Sequence, residues 1–247
     1  MQPLSKMSSP SVNLYNAPMP DLLTRHIPRV AYQPCWQAMR TFTDQRDEHT
    51  PDELWFLEHP DVFTLGQAGK PEHVLSPGPI PLVQTDRGGQ VTWHGPGQTV
   101  GYLLFDIARM GIGARELVTR IEQAIVSYLA TLDINAAPRA DAPGVYVGAA
   151  KIASLGLRIR HGRSYHGLSL NRDVDMSVFQ RINPCGHIGQ PMTSLALLGV
   201  DPGRAAVEAG LQQALCERFA FDNVTAAGLP DWYTDALSTM PQESPSP

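Results

Sequence analysis

The feature that most restricts the fold of this chain is a switch of hydrophobic period. Strand-like runs arrive in pairs, and single long stretches of helical spacing separate the pairs. Residues 88–107 (GGQVTWHGPGQTVGYLLFDI) read as two strands joined by a Gly/Pro turn at Gly95–Gly97. GVYV precedes KIASLGLRIR (151–160) and SYHGLSLN (164–171), and the last two predict a hairpin over HGRS. Upstream, DELWFLEH and VFTLG carry the aromatic and β-branched residues that suit strands. Between 114 and 132, Leu117, Val118, Ile121, Ala124, Ile125, Tyr128, Leu129 and Leu132 recur at three-four spacing, which predicts a helix. Two further helices are predicted: 34–47, with Pro34 in its first turn, and 202–219, with Val207, Leu211, Ala214, Leu215 and Phe219 on one stripe. A doubly wound fold needs strict alternation of strand and helix, so this order predicts an α+β architecture.

At 247 residues the chain has room for one large domain or two small ones. No linker, repeat or charge block divides it. The reading is a flexible arm over 1–24, rich in Pro, Ser and Asn, a single domain over 25–235, and a disordered tail over 236–247. With 43% hydrophobic and 17% charged residues, a packed core is expected. A net charge of −5 argues against non-specific nucleic-acid binding, which needs a basic surface. No apolar run approaches the ~20 residues that span a bilayer, and the first twenty residues, with four prolines, do not read as a signal peptide. The cysteines Cys35, Cys185 and Cys216 show no metal-binding or redox spacing, so a reducing, cytoplasmic compartment is expected. Of nineteen basic residues only Lys6, Lys70 and Lys151 are lysine, which draws attention to the one lysine inside a strand pattern.

Three segments conflict with ordinary strand preference, and such conflicts mark candidate sites. The first, Arg87–Gly97 (RGGQVTWHGPG), has glycines that allow close backbone approach to a ligand or serve only turns and a bulge. In the second, Lys151–Asn171, alternation puts Lys151 on the face of Ala153, Leu155 and Leu157, toward a buried region. A buried lysine must be paired or change its protonation, whereas a lysine on an edge strand snorkels to water. His166 by itself reads as a structural histidine. The third, Arg181–Leu195 (RINPCGHIGQPMTSL), sets Cys185 between Pro184 and Gly186 in an irregular loop, while Cys35 and Cys216 fall in predicted helices as small hydrophobes. If Lys151 and Cys185 meet, the ammonium stabilises a thiolate that accepts an acyl group, and the amine then moves protons.

These segments, in this order, closely resemble the octanoyltransferases of protein lipoylation, the lipoyl(octanoyl) transferase family. The likeness runs from YQPCWQAM and ELWFLEHPDVFTLGQ through RGGQVTWHGPGQTVGYLLFDI and GVYVGAAKIASLGLRIRHGRSYHGLSLN to INPCG, covering about residues 29–198. The resemblance implies a mixed β-sheet core with surrounding helices, like the catalytic domain of biotin and lipoate protein ligases. It implies transfer of an octanoyl group from octanoyl-acyl carrier protein to one lysine of a lipoyl domain, the first step of endogenous lipoylation. The acceptors would be lipoyl domains of 2-oxoacid dehydrogenase complexes and the glycine cleavage H protein. Cys185 would carry the thioester and Lys151 would lower its pKa and handle protons. The acyl-binding stretches would fall on Arg87, Gly88, Gly89, Gln90, Val91, Thr92, Trp93 and His94, on Ser154, Leu155 and Gly156, and on Gly167, Leu168 and Ser169. No cofactor, metal or nucleotide is expected, nor nucleic acid or membrane, and the expected state is a monomer. Two positions depart from the family pattern: Ser169, where the family usually has alanine, and His187, a position that could meet the acceptor.

Rival readings are an ATP-dependent lipoate or biotin ligase on the same fold and a non-catalytic binding module. Cys185 in its PCG setting favours transfer over ligation, and the Lys151–Cys185 pair favours an enzyme over a module. A thiol redox protein fails for want of a second nearby cysteine. Because both expected partners are small acidic domains, a basic rim from Arg158, Arg160, Arg163 and Arg172 is also expected.

Overall fold

The computed structural model describes residues 22–183 and 189–238. In chain order the elements are β1 (Leu22–His26), α1 (Tyr32–Gln45), β2 (Asp52–Leu57), β3 (Val62–Leu65), β4 (Leu82–Gln84), β5 (Val91–His94), β6 (Gln98–Leu104), α2 (Ala114–Ala130), β7 (Ala137–Pro138), β8 (Val145–Val147), β9 (Ala150–Arg160), β10 (Arg163–Asn171), α3 (Gly203–Phe219), β11 (Val224–Ala226) and α4 (Asp231–Ser238). Eight strands form one mixed sheet in the order β11-β1-β2-β6-β10-β9-β8-β7. Strand β1 is parallel to both β11 and β2, and the remaining neighbours are antiparallel. A second sheet, β4-β3-β5, stands apart.

The central strands are buried on both faces. Every residue of β2 (DELWFL) is buried. Leu54 and Phe56 enter the core shared with Leu117, Ile121, Ile125 and Leu129 of α2 and Val207, Leu211 and Leu215 of α3. Trp55 and Leu57, one residue out of phase, enter the opposite core with Cys35 and Met39 of α1 and Tyr233 of α4. A helix layer on each face explains why this strand reads as a continuous apolar run. The small sheet has its own core, in which Phe63, Leu65, Val91 and Trp93 pack with Val178, Phe179 and Ile182.

The predicted hairpin is present: Arg160 pairs with Arg163 across a two-residue turn in which His161 and Gly162 both adopt left-handed backbone. That is the turn whose twist matches antiparallel strands. The Gly/Pro turn at Gly95–Gly97 plays another part. It joins β5 to β6 as predicted, but the two strands belong to different sheets, so the turn is a corner between sheets. The Gly97 carbonyl is occupied there by the backbone amides of Arg172 and Asp173 at the end of β10. Two boundaries also move. The sheet begins inside the segment read as an arm, since Leu22 and Thr24 are buried in β1, and α4 extends past 235. No helix among the described residues is long and apolar enough to cross a membrane.

Candidate functional site

The site forms where the loop before β5 lies over the β9–β10 hairpin. Gly88 donates its backbone N–H to the Leu157 carbonyl at 2.9 Å, which brings residues 87–90 down onto the sheet. Arg87 is the internal tie of that loop. Its guanidinium donates to the Thr64 carbonyl (2.6 Å), the Gln90 carbonyl (2.8 Å) and the Gly88 carbonyl (2.9 Å), and it is 6% exposed. Between loop and hairpin is a cavity lined by Arg87, Gly89, Gln90, Val91, Thr92 and His94, by Ser154, Leu155 and Gly156, and by Gly167, Leu168 and Ser169. All three predicted stretches therefore line one space. Two predicted members do not line it. Trp93 turns into the small-sheet core, where its ring meets Phe179 and its indole N–H donates to Asp61. Gly88 lines an adjoining groove with Val118, Pro143 and Leu157.

Three wall residues lie outside the predicted acyl-binding stretches: Tyr32, Tyr102 and His166, the last read from sequence as a structural histidine. They belong to a buried cluster whose protonation is set by its partners. The Val30 carbonyl accepts from His59 Nδ1–H at 2.6 Å, so His59 Nε2 accepts from the Tyr102 hydroxyl at 2.8 Å. Gln98 Nε2 donates to Asn171 Oδ1, which leaves the Gln98 oxygen to accept from His94 Nδ1–H at 2.7 Å. Asp86 accepts from His166 Nε2–H at 3.0 Å, from Trp36 Nε1–H at 2.8 Å and from the Tyr165 hydroxyl. Tyr165 and His166 reach one carboxylate from adjacent positions because His166 has φ +59°, a left-handed residue inside a strand. Such backbone costs of order 1–3 kcal/mol in a side-chain-bearing residue and concentrates at functional sites.

Burial keeps these histidines neutral. Desolvation pushes His59 down to about 4 and holds His94 well below the ordinary histidine value. It also lowers His166, against the opposing pull of Asp86. Burial works against the charge of Asp86, yet its hydrogen bonds from His166, Tyr165 and Trp36 hold it well below the usual carboxylate range. The sign of the resulting pH dependence follows. Below pH 6.5 the unfolded chain takes up protons that folded His59 refuses, so stability is lost as pH falls. For His59 alone the loss between pH 6.5 and 4 is roughly 3 kcal/mol. His94 and His166 act in the same direction. Urea midpoints measured from pH 7.5 down to 4.5 should fall steadily, and the fall should be shallower in His59→Asn.

Lys151 is fully buried, with 0% exposure, three residues before Ser154 on β9 and so about 10 Å along the strand from the cavity lining. Its ammonium lies 5.4 Å from the centroid of the Tyr146 ring, and Arg139 also lies over that ring, at 5.0 Å. Gly144 walls the amine closely. A Cβ there would sit 2.3 Å from Lys151 Cε and 3.0 Å from Nζ, and φ of +137° itself calls for glycine. The Gly144 N–H donates to Glu122 Oε1 at 2.8 Å, and Glu122 is buried on the inner side of α2. Burial raises the Glu122 pKa, opposed by that hydrogen bond and by attraction to Lys151.

Cys185 and His187 lie outside the described residues. The chain on the C-terminal side of them runs beside Lys151: the Lys151 N–H donates to the Pro191 carbonyl (2.8 Å) and its carbonyl accepts from Thr193 N–H (3.0 Å). Asn171 Nδ2 also donates to the Thr193 carbonyl at 3.0 Å, so a chain of side-chain amides links His94 through Gln98 and Asn171 to this segment. The other two cysteines pack as small hydrophobes in α1 and α3, as predicted. Cys35 is completely buried with its thiol pKa driven up by desolvation, and burial pushes Cys216 up to about 11.

The predicted basic rim does not stand as a cationic surface. Arg160 pairs with Asp44 at 3.2 Å, Arg163 with Asp106 at 3.6 Å and Arg172 with Glu58 at 3.0 Å, while Arg158 donates to the Gln67 side-chain oxygen. Carboxylates distant in sequence pair with three of these four arginines, and Arg158 is held by a neutral amide.

Comparison with known proteins agrees with this architecture. A family model described as the lipoyl protein ligase A/B catalytic domain matches residues 31–216. An octanoyltransferase from Alcanivorax borkumensis is 60% identical over 219 residues, 89% of this chain and 88% of that protein. One from Azotobacter vinelandii is 62% identical over 184 residues, 74% of this chain and 83% of that protein. Among solved structures, a lipoate-protein ligase A bound with ATP superposes with a TM-score of 0.70 at 14% identity, covering 89% of this chain and 93% of that one; this likeness concerns the fold. With three-quarters of its length inside the family model and such identity to whole relatives, the chain belongs to the octanoyltransferases of the lipoyl protein ligase A/B catalytic-domain family and is an acyltransferase.

Proposed function

We propose that the protein moves an octanoyl group from octanoyl-acyl carrier protein to the target lysine of lipoyl domains through a thioester on Cys185. In the first step the Cys185 thiolate attacks the donor thioester carbonyl. The new sulfur–carbon bond forms, the donor's sulfur–carbon bond breaks, and the departing thiol takes a proton from Lys151. In the second step the acceptor amine attacks the enzyme thioester. A nitrogen–carbon bond forms, Cys185 leaves as thiolate, and the proton shed by the amine returns to Lys151. Backbone amides of the glycine-rich stretches suit the oxyanion of both steps. The acyl chain occupies the space between the 87–90 loop and the β9–β10 hairpin. The acceptors are lipoyl domains of 2-oxoacid dehydrogenase complexes and the glycine cleavage H protein, and the enzyme works as a cytoplasmic monomer.

The observation that carries this reading is the complete burial of Lys151 on the strand that lines the cavity, backbone-bonded to Pro191 and Thr193, six and eight residues beyond Cys185. A lysine hidden from water on a cavity-lining strand is poorly explained by solubility or packing and well explained by proton handling. Incubation with octanoyl-acyl carrier protein, without ATP, should raise the intact mass by one octanoyl group on the Cys185 peptide. Addition of a lipoyl domain should discharge it. A requirement for ATP and free octanoate would favour ligation over transfer.

A further inference from the structure

Glu122 is the one acid that α2 turns toward the elements around Lys151. It follows Ile121 on the inner side of the helix, among Leu117, Ile121 and Ile125, where an apolar side chain would serve packing better. We propose that Glu122 is a positioning residue for Lys151: its carboxylate anchors the Gly144 backbone that walls the amine and places a negative charge on the same side of it. The inference rests on the reading of Lys151 as the proton-handling group.

The geometry gives Glu122 two separable duties. One oxygen accepts the Gly144 N–H at 2.8 Å, and Gly144 stands close enough to Lys151 that a methyl group there would collide with Cε. The carboxylate also attracts the Lys151 charge, which works, with the Gly144 hydrogen bond, against the rise that burial imposes on Glu122. Among the described residues, the titratable groups set beside Lys151 are Glu122 of α2, through Gly144 and through attraction, and Tyr146 of β8, whose ring the ammonium faces. Beyond the Tyr146 ring are Arg139 and its partner Asp141. The segment at 191–193 meets Lys151 through backbone groups. Tyr146 is itself fixed, its hydroxyl donating to the Ala142 carbonyl at 3.0 Å, so loop 142–144 is tied at both ends of the amine's wall.

Glu122→Gln separates the duties, because an amide oxygen still accepts the Gly144 N–H while the charge is gone. A carboxylate favours the protonated amine, so its removal lets the proton leave at lower pH. The alkaline limb of the rate profile should then move down by about one pH unit. The expected loss in kcat for transfer from an octanoyl thioester is about tenfold or more. KM for that donor should change by less than about threefold, since Glu122 acts on the amine and not on the acyl chain. Glu122→Asp keeps the charge but draws back the oxygen. It should lose rate while keeping the wild-type alkaline limb, and so tests the charge even where the Gln variant folds poorly. Melting curves for each variant check the fold.

A Glu122→Gln enzyme with wild-type kcat and pH profile, alongside an inactive Lys151→Met, would overturn the role of Glu122 alone. A limb displaced as far in Glu122→Asp as in Glu122→Gln would also count against a charge effect. Full activity in Lys151→Met would instead overturn the reading on which the inference rests.

Discussion

Cys185→Ser is expected to leave a folded protein that transfers no octanoyl group and gains no mass from octanoyl-acyl carrier protein. The substitution removes one polarisable sulfur and keeps nearly the same volume. What is lost is acidity: a thiol titrates within reach of a neighbouring ammonium, whereas a serine hydroxyl does not. The oxygen ester that serine would form is also a poorer acyl donor to an amine than a thioester. Loss of a covalent nucleophile in other acyl-transfer enzymes costs about 10⁴-fold or more, and a loss of that size is expected here. The protein supplies its own controls. Cys35 is completely buried on the inner face of α1 with its thiol driven up by desolvation, and burial pushes the Cys216 thiol up to about 11, which disfavours a thiolate at either near neutral pH. Any octanoyl mass on Cys185→Ser would have to be mapped, and mapping to Cys35 or Cys216 would remove Cys185 from the mechanism. In the unmodified enzyme the adduct should be cleaved by neutral hydroxylamine, as thioesters are.

Different parts of this molecule were readable to different depths, for physical reasons. The β9–β10 hairpin and helices α1, α2 and α3 could be read because each carries its own period and its own end signal. The partition of strands between two sheets could not. Alternation says that a segment is extended but not which neighbour it pairs with, so Gly95–Gly97 read equally well as a hairpin turn or as the corner that it is. Strands β1, β7 and β11 are two to five residues long, too short for a period to show. Within the site, VTWH already divides its own residues. Val91 and Trp93 share one face and Thr92 and His94 the other, which is why Trp93 packs in the small-sheet core while Thr92 and His94 line the cavity. His166 defeats the same rule, since its left-handed backbone swings the ring to the side of Tyr165. Glu122 was legible in principle: an acid between Ile121 and Ile125 on an apolar stripe is an anomaly, but a stripe assembled only from apolar residues passes over it. The basic rim failed because its carboxylate partners, Asp44, Glu58 and Asp106, are 57 to 116 residues away.

Lys151→Met is expected to cost about 10²–10⁴-fold in transfer rate, the usual worth of a positioned general acid–base group, while the chain still folds. Methionine is the informative replacement. Lys151→Ala would remove most of a buried side chain and leave a cavity costing about 2–5 kcal/mol, which confounds chemistry with packing. An unbranched side chain of similar length fills the space beside Gly144 and over Tyr146 without carrying a proton. Arginine is not a milder choice, because its planar guanidinium has no room where a single Cβ on Gly144 would already meet the amine. The second readout is the Cys185 thiol. If the lysine holds it as an anion, alkylation followed against pH shifts to higher pH by about one unit or more in Lys151→Met. The direction is fixed by charge, since removal of a cation cannot make a neighbouring thiolate easier to form. An alkylation curve that coincides with the wild type, in a variant that has lost transfer, would separate the two roles given to Lys151 and leave it a proton carrier that does not activate the sulfur.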